Sequence, residues 1–335
     1  MLLPTYFKSL EDEYFHLKKD VQLWDVSVQK QIEVSGSDSY KLVQLVTCRD
    51  LSGAKVLKCY YVPLIDGNGN MINDPLVLKV EDMKWRICIA DSDVLLYAKG
   101  IADSMNLNVQ IHETEISTLA VQGPKSLDVM KKVFGDEISK LKFFNFNYFK
   151  FEDIDFMISK SGFSKQGGYE IYIENLKSGL KLYDYIIKVG KKFNLKPGCP
   201  NVIERIEGAL LSYGNDMDNN DNPFECGLDK YVNLESNIEF LGKKALQKVK
   251  LEGIKRKLMG VKINEKNINL TSELKLVDEN KETIGYLRSA VYSPRFKMIV
   301  GIAMINKEFC KNKEIFNINL NDNLVDGEVC ELPII

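Results

Sequence analysis

The side chains that most often carry enzyme chemistry are scarce in this chain of 335 residues. Its histidines, His16 and His112, stand far apart, and neither lies in the H-E-x-x-H pattern that aims two imidazoles and a general base from one helix face. No G-x-S-x-G turn presents a nucleophilic serine. Cys48, Cys59, Cys88, Cys199, Cys226, Cys310 and Cys330 include no C-x-x-C pair. Thiolate metal sites need such close spacing, so these cysteines are expected as buried or half-buried free thiols of a reducing compartment. Asp66-Gly-Asn-Gly-Asn70 begins like a calcium loop, but Met71 stands where the sharp turn needs glycine and Val77 where a bidentate glutamate belongs. A hairpin turn through Asp-Gly and Asn-Gly accounts for it. His112 ends the alternating run Leu107, Val109, Ile111 and reads as a strand-end residue. The carboxylates of segment 214–222 read as a solvated polar loop. No metal site is expected.

Composition narrows the classes further. Lys plus Arg number 45 against 47 Asp plus Glu, for a formal charge of −2. A nucleic-acid binder would show a basic excess or stripe, and neither is present. The apolar run Met298–Ile305 falls well short of a membrane span. The N-terminal stretch lacks the basic region and apolar core of a signal peptide. A cytoplasmic protein without nucleic-acid or membrane partners is the expectation, with a homodimer as its assembly.

Periodicity supplies the elements that would position a site. Gln31–Ser35 alternates and leads through Gly36-Ser-Asp38 into a helix carrying Leu42, Val43, Leu45 and Val46. Leu76–Val80 and Trp85–Ala90 follow as strands. A helix capped by Asp91 or Ser92 bears Val94, Ala98, Ile101 and Met105, and Leu107–His112 closes the set. This β-α-β-β-α-β order is the ferredoxin-like unit. A second unit repeats it. Thr118–Gln122 is a strand, Gly123-Pro124 opens a helix, and Phe144–Phe151, Ile154–Lys160 and Tyr169–Ile173 are strands before a helix over Leu180–Phe193. Phe144, Phe146 and Tyr148 are expected on one buried aromatic face. Pro200–Gly214 reads as a helix with Ala209 and Leu210 inward. Beyond the charged stretch Lys248–Lys257, short strands at 258–263, 274–278, 283–287, 299–304 and 316–320 suggest a small β-barrel. The expected fold class is α+β, with two α+β units over 1–113 and 114–247 and a barrel over 248–335.

An ordered series of motifs carries a resemblance across nearly the whole chain. It comprises Thr118-Leu-Ala-Val-Gln-Gly-Pro124, Ser161-Gly-Phe-Ser-Lys-Gln-Gly-Gly-Tyr-Glu170, Glu204-Arg-Ile-Glu-Gly208, Asn222-Pro-Phe-Glu-Cys-Gly-Leu228 and Phe240-Leu-Gly-Lys-Lys-Ala-Leu246. The series resembles the glycine-cleavage T-protein (aminomethyltransferase) superfamily. Met1-Leu-Leu-Pro4, Thr47-Cys-Arg-Asp-Leu51, Cys59-Tyr-Tyr61, Pro197-Gly-Cys-Pro200 and Leu211-Ser-Tyr-Gly-Asn-Asp216 resemble its sulfonium-demethylase branch.

The resemblance implies three domains in a cloverleaf around a tetrahydrofolate channel. It implies transfer of a methyl group from a small-molecule sulfonium donor to N5 of tetrahydrofolate, leaving methylmercaptopropionate. That reaction asks little of acids and bases, because a sulfonium already holds a neutral thioether as its leaving group. In-line alignment can supply up to ~7–11 kcal/mol, and aromatic rings can hold the cation at roughly 0.5–2 kcal/mol each. The scarcity of histidine suits it.

Carried over by motif, Asp74 in Met71-Ile-Asn-Asp-Pro75 matches the aspartate that orients the pterin near N5 and stabilises positive charge there. Glu170 matches the pterin-binding glutamate, whose carboxylate can accept paired N–H donors. Arg205 matches the folate-holding arginine; its alternative is an ion pair with Glu204, Glu207 or Asp74. Tyr61 and Tyr172 would line the donor pocket. Phe163 stands where the demethylase branch leads one to expect tryptophan, and that branch also implies a segment upstream of Met1 that helps close the site. Alternatives are an aminomethyltransferase of glycine cleavage, another folate-linked demethylase, and a non-catalytic folate-binding protein. Asn73-Asp-Pro75, where aminomethyltransferases carry paired acids, argues against the first; Phe240–Leu246, in place of a Lys-Gly-Cys motif, argues against the last.

Overall fold

The structure is a computed structural model that describes residues 3–89, 92–320 and 323–334. Its first unit runs β2 (Gln31–Ser35), α2 (Ser39–Leu45), β3 (Lys58–Tyr61), the short hairpin β4 (Leu64–Ile65) and β5 (Met71–Asn73), β6 (Leu76–Glu81), β7 (Lys84–Cys88), α3 (Val94–Ser104) and β8 (Gln110–Glu113). The sheet order is β3-β6-β7-β2-β8, antiparallel throughout. Within it β6-β7-β2-β8 is the ferredoxin-like order read from the periodicity. The edge strand β3 is an addition. Helices α2 and α3 cover one face, where Ile32, Val34, Trp85 and Ile87 pack against Leu42, Val43 and Ala98. Period-two alternation turns Cys59, Leu78 and Cys88 to the other face. There they meet Phe146, Met157 and Tyr172 of the second sheet.

That second sheet runs β10 (Phe146–Phe151), β11 (Ile154–Ser159), β12 (Gly168–Ile173), β9 (Ser117–Gln122), β1 (Val21–Asp25) and β13 (Leu195–Gly198). Helices α4 (Ser126–Phe134) and α5 (Leu176–Gly190) cover its outer face through Val129, Met130, Leu182 and Ile186. The order repeats the first unit with one insertion: β1 lies between β9 and β13, antiparallel to the former and parallel to the latter. Residues 21–25, expected with the first unit, therefore build into the second sheet, and α1 (Leu10–Lys19) packs beside β1. Glycine geometry shows the equivalence. Gly36 and Gly123 have φ of +123° and +121°, and a Cβ on either would press onto the backbone oxygen of Asn108 or Asp20. In each unit the strand-to-helix turn rests against the chain entering the adjacent strand, which is β8 in one and β1 in the other.

The barrel closes in the order β14 (Arg256–Ile263), β17 (Met298–Asn306), β16 (Thr283–Ser293), β15 (Leu274–Val277), β18 (Ile315–Leu320) and β19 (Asn323–Cys330). Strand β19, absent from the periodicity reading, completes it by pairing with β14 and β18. Helix α7 (Lys243–Glu252) leads into β14.

Several local expectations need correction. Helix α3 begins at Val94 after Asp93; of the two caps expected, Asp91 lies outside the described residues. Strand β10 starts at Phe146, because Phe144 holds φ +55° and turns the chain. Phe146 is 1% exposed but Tyr148 is 47% exposed on this edge strand, so the three aromatics do not form one buried face. Helix α5 starts at Leu176, one turn before Leu180, because Asn175 accepts the N–H of Ser178 as its cap. The helix expected over 200–214 is only α6 (Val202–Glu207). Asn201 caps its start by accepting from the N–H groups of Ile203 and Glu204. Its end is a left-handed Ala209 at φ +50°, with Leu210 N–H bonded to Arg205 O and Ala209 N–H to Ile206 O. That is a Schellman stop, built without the usual glycine. The seven cysteines are unpaired, Cys310 half-buried and the others buried.

Candidate active site

Asp74 sits between β5 and β6, where Pro75 forbids a helix and the Asn73 side chain accepts the Asp74 N–H at 2.9 Å. The Tyr61 hydroxyl, from the end of edge strand β3, donates to Asp74 Oδ2 at 2.8 Å. Asp74 keeps part of its surface open while protein crowds it on all sides, as a group lining a deep recess does. Burial pushes its carboxyl up to about 7; the Tyr61 hydroxyl and the Tyr213 N–H oppose the rise, and the like charge of Asp216 adds to it. Burial, then the Asp74 charge and its hydrogen bond, drive the Tyr61 phenol well above its ordinary range. The pair is a hydrogen-bonded carboxylate poised between its two protonation states near neutrality.

Glu170 lies on β12 and faces the space between the sheets. The Ser161 hydroxyl donates to its Oε2. Ser159 Oγ lies 2.5 Å from Ser161 Oγ and 3.2 Å from the Tyr172 hydroxyl, forming a line of hydroxyls from Tyr172 to Glu170. Burial raises the Glu170 carboxyl, and hydrogen bonds from Ser161 and Ser159 oppose the rise. Tyr172 itself is 3% exposed and packs among Cys59, Leu78 and Met157. Phe163 is half-buried on the loop between β11 and β12, six residues before Arg-free strand β12 delivers Tyr169 and Glu170.

Arg205, on α6, takes none of the partners expected for an ion pair. Its NH1 donates to Asp216 at 3.0 and 2.8 Å, and its NH2 donates to Ser289 Oγ at 2.9 Å. Glu204 instead accepts from Lys18 and Gln166, and Glu207 from Tyr14 and Ser293. Two acids of the polar loop 214–222 are likewise withdrawn from solvent. Asp216 and Asp221 are both 0% exposed. Asp216 also accepts from Ser289 Oγ at 2.6 Å and from the Ser212 N–H at 2.8 Å. Asp221 is bridged by Arg288 at 2.5 Å and Arg256 at 2.9 Å. A carboxylate can leave water only where cations and N–H donors replace it, and the barrel supplies them. A register shift between Leu287 and Ser289 makes this possible, since the extra residue Arg288 lets neighbours aim at Asp221 and Asp216 in turn.

The structure thus joins Tyr61 to Asp74, Tyr172 to Glu170 through Ser159, and Arg205 to Asp216, whose charge reaches Asp74. Residue-by-residue reading missed Ser159, Asp216 and Ser289. Ser159 lies two residues after Met157, on the same face of β11, and was legible as an inward polar residue; nothing local marks Ser289. Among the described residues no group of three or more His, Cys, Asp or Glu could hold a metal ion. None of their helices is long and apolar enough to cross a membrane.

The architecture defines a class: two ferredoxin-like units with carboxylates between them, locked to a closed barrel. The family model of the GCVT N-terminal domain matches residues 1–236, and that of the glycine cleavage T-protein C-terminal barrel domain matches 256–335. The chain belongs to the glycine cleavage T-protein family, and tetrahydrofolate is its cofactor. It is 38% identical over 307 residues to dimethylsulfoniopropionate demethylase DmdA of Ruegeria pomeroyi, covering 92% of this chain and 84% of that protein. It is 31% identical over 340 residues to the aminomethyltransferase of Thermosipho melanesiensis, covering 99% and 90%. The crystal structure of the glycine cleavage system aminomethyltransferase T from Bartonella henselae shares the fold, with a TM-score of 0.87 at 20% identity over 98% of this chain and 90% of that one.

The site fits such a cofactor. Glu170 offers a partly open carboxyl, raised by burial and opposed by hydroxyl donors from Ser161 and Ser159. An aminopyrimidine edge presents the paired N–H donors that such a group accepts.

Proposed function

We propose that the protein transfers a methyl group from a dimethylsulfoniopropionate-like sulfonium to N5 of tetrahydrofolate, giving 5-methyltetrahydrofolate and methylmercaptopropionate. The observation that carries the reading is the Tyr61–Asp74 pair, a carboxylate held by a phenol hydroxyl in a crowded recess. The identity of 38% to a dimethylsulfoniopropionate demethylase supports this donor over the aminomethyl carrier of glycine cleavage.

When bound, tetrahydrofolate supplies N5 as the methyl acceptor. Glu170 grips the pterin edge. Asp74, once ionised, stabilises the positive charge that grows at the acceptor as the methyl group arrives and can take the proton that must leave. Tyr61 holds the Asp74 carboxylate through its hydroxyl and fixes its orientation. Arg205, held by Asp216 and Ser289, adds a fixed positive charge at the barrel side of the recess. Tyr61 and Phe163 offer ring faces to the sulfonium, and Tyr172 anchors the hydroxyl line behind Glu170. No general acid is required, because the leaving group is a neutral thioether. The chain's contribution is alignment and charge placement.

The test is a screen of methylated sulfonium and ammonium donors with tetrahydrofolate, reading 5-methyltetrahydrofolate by mass spectrometry. Methyl transfer from dimethylsulfoniopropionate supports the reading. Methylene transfer from an aminomethylated lipoyl carrier, with no sulfonium accepted, would replace it.

A further inference from the structure

The segment Thr47–Leu51 carries part of the resemblance but has no role in the reaction above, and it holds an arginine that lacks an acid among the described residues. Arg86, Arg205, Arg256, Arg288 and Arg295 each lie within 4.0 Å of a carboxylate. Arg49 has no such partner among the described residues. It is half-buried, and burial lowers the proton affinity of its guanidinium with only two tyrosines opposing.

Arg49 is nevertheless held firmly. Its NH1 donates to the backbone carbonyl of Tyr61 at 2.6 Å. Its guanidinium lies 5.5 Å from the Tyr60 ring centre and 5.1 Å from that of Tyr231. Tyr231 in turn meets Tyr61 edge-on at 5.0 Å, and the Tyr61 hydroxyl is on Asp74. Among the described residues, rings on the guanidinium and a carbonyl at one nitrogen leave further N–H donors without a protein acceptor. A planar cation fixed in this way matches a carboxylate in bidentate fashion, and partial burial strengthens the pairing relative to open water.

We propose that Arg49 is a binding residue for a ligand carboxylate at this site. The inference deepens the proposed function and rests on it, because both reactants in that reaction carry a carboxylate: the propionate end of the donor and the glutamate end of tetrahydrofolate. The shared chemistry is the carboxylate, and experiment separates the two sources.

Equilibrium binding is measured by calorimetry for the wild type, Arg49→Gln and Arg49→Lys. The probes are dimethylsulfoniopropionate against trimethylsulfonium, and tetrahydrofolate against tetrahydropteroate, which lacks the glutamate. Arg49→Gln should weaken one carboxylate-bearing probe by roughly tenfold or more while its carboxylate-free counterpart changes by less than about twofold. Arg49→Lys should fall between, keeping charge but losing the fork. A loss confined to the sulfonium pair assigns the donor; one confined to the folate pair assigns the glutamate. Equal weakening of probe and counterpart, no change in any probe, or a wild type that gains nothing from either carboxylate overturns the proposal. If Arg49→Gln does not fold, by circular dichroism, Arg49→Lys carries the same comparison. Binding is read without turnover, so a failed methyl-transfer assay would remove the proposed reaction and leave this result standing.

Discussion

Asp74 and Glu170 are both crowded, partly open carboxylates, yet the molecule supports them in opposite ways. Glu170 is held locally: Ser161 lies nine residues before it, and Ser159 ends the neighbouring strand. Asp74 is held from a distance, by Tyr61 of β3, by the Tyr213 N–H and by the field of Asp216, which Arg205 and the barrel's Ser289 hold in place. Burial pushes both upward. Hydroxyl donors oppose it at Glu170, whereas at Asp74 a like charge reinforces it and the carboxyl reaches about 7. A carboxylate braced by hydroxyls can be built within one sheet. A carboxylate whose proton affinity is pushed up towards neutrality takes its setting from three parts of the chain.

Breaking the remote support should have the largest effect. Asp216→Ala leaves Arg205 half-buried without its acid and should cost about 3–5 kcal/mol in urea unfolding. Asp74→Asn comes next. Under the proposed reaction it should lower kcat on the order of a hundredfold, about 2.7 kcal/mol, with little change in folate KM. Wild-type kcat should rise through about pH 7 as Asp74 ionises, and the variant's profile should lose that limb. Stability moves the other way. A carboxyl whose folded pKa exceeds its unfolded value of 3.8 binds more protons folded than unfolded, so its contribution falls as pH rises towards about 7. Asp74→Asn should therefore gain melting temperature over wild type at pH 8, and the gain should vanish near pH 4.

Glu170→Ala tests the local side of the comparison and should raise the folate KM roughly tenfold with kcat nearly kept. Ser161→Ala should do less. Losing one hydroxyl donor to a carboxylate should weaken folate binding by about 1 kcal/mol, more at pH 5.5 than at pH 8, because Glu170 then rises further. The smallest effect is expected at Phe163→Trp. The larger ring quadrupole should tighten sulfonium binding by at most ~1 kcal/mol, read as a fall in donor KM. An unchanged donor KM there would place Phe163 outside the donor's reach.

Legibility follows the same division. The alternation of Gln31–Ser35 and Thr118–Gln122 and the helix stripes after them reported on local burial, and both units emerged from them. Glu170 was readable with its serine neighbour because Ser161 shares its motif. Strand β3 was not, since Lys58-Cys-Tyr-Tyr61 alternates too briefly to stand out and earns its place as an edge strand through β6. The helix expected across Ala209 failed because its apolar spacing continued past the point where the chain turns left-handed. Loop 214–222 looked solvated because its composition is polar; Asp216 and Asp221 are buried against arginines up to 67 residues away.

Motif resemblance singled out Asp74, Glu170 and Arg205; by itself the sequence determined the α+β class, the twofold repeat of a ferredoxin-like unit and the barrel. These depend on side-chain periodicity and on residues adjacent in the chain. Only the tertiary structure decided that β1 enters the second sheet, that Arg205 answers to Asp216, and that a bulge in β16 aims Ser289 and Arg288 at two buried aspartates. The physical reason is the range of the interactions. Alternation and capping act over a few residues, whereas a desolvated charge is compensated by whichever donors folding brings to it, and no spacing in the sequence records those meetings.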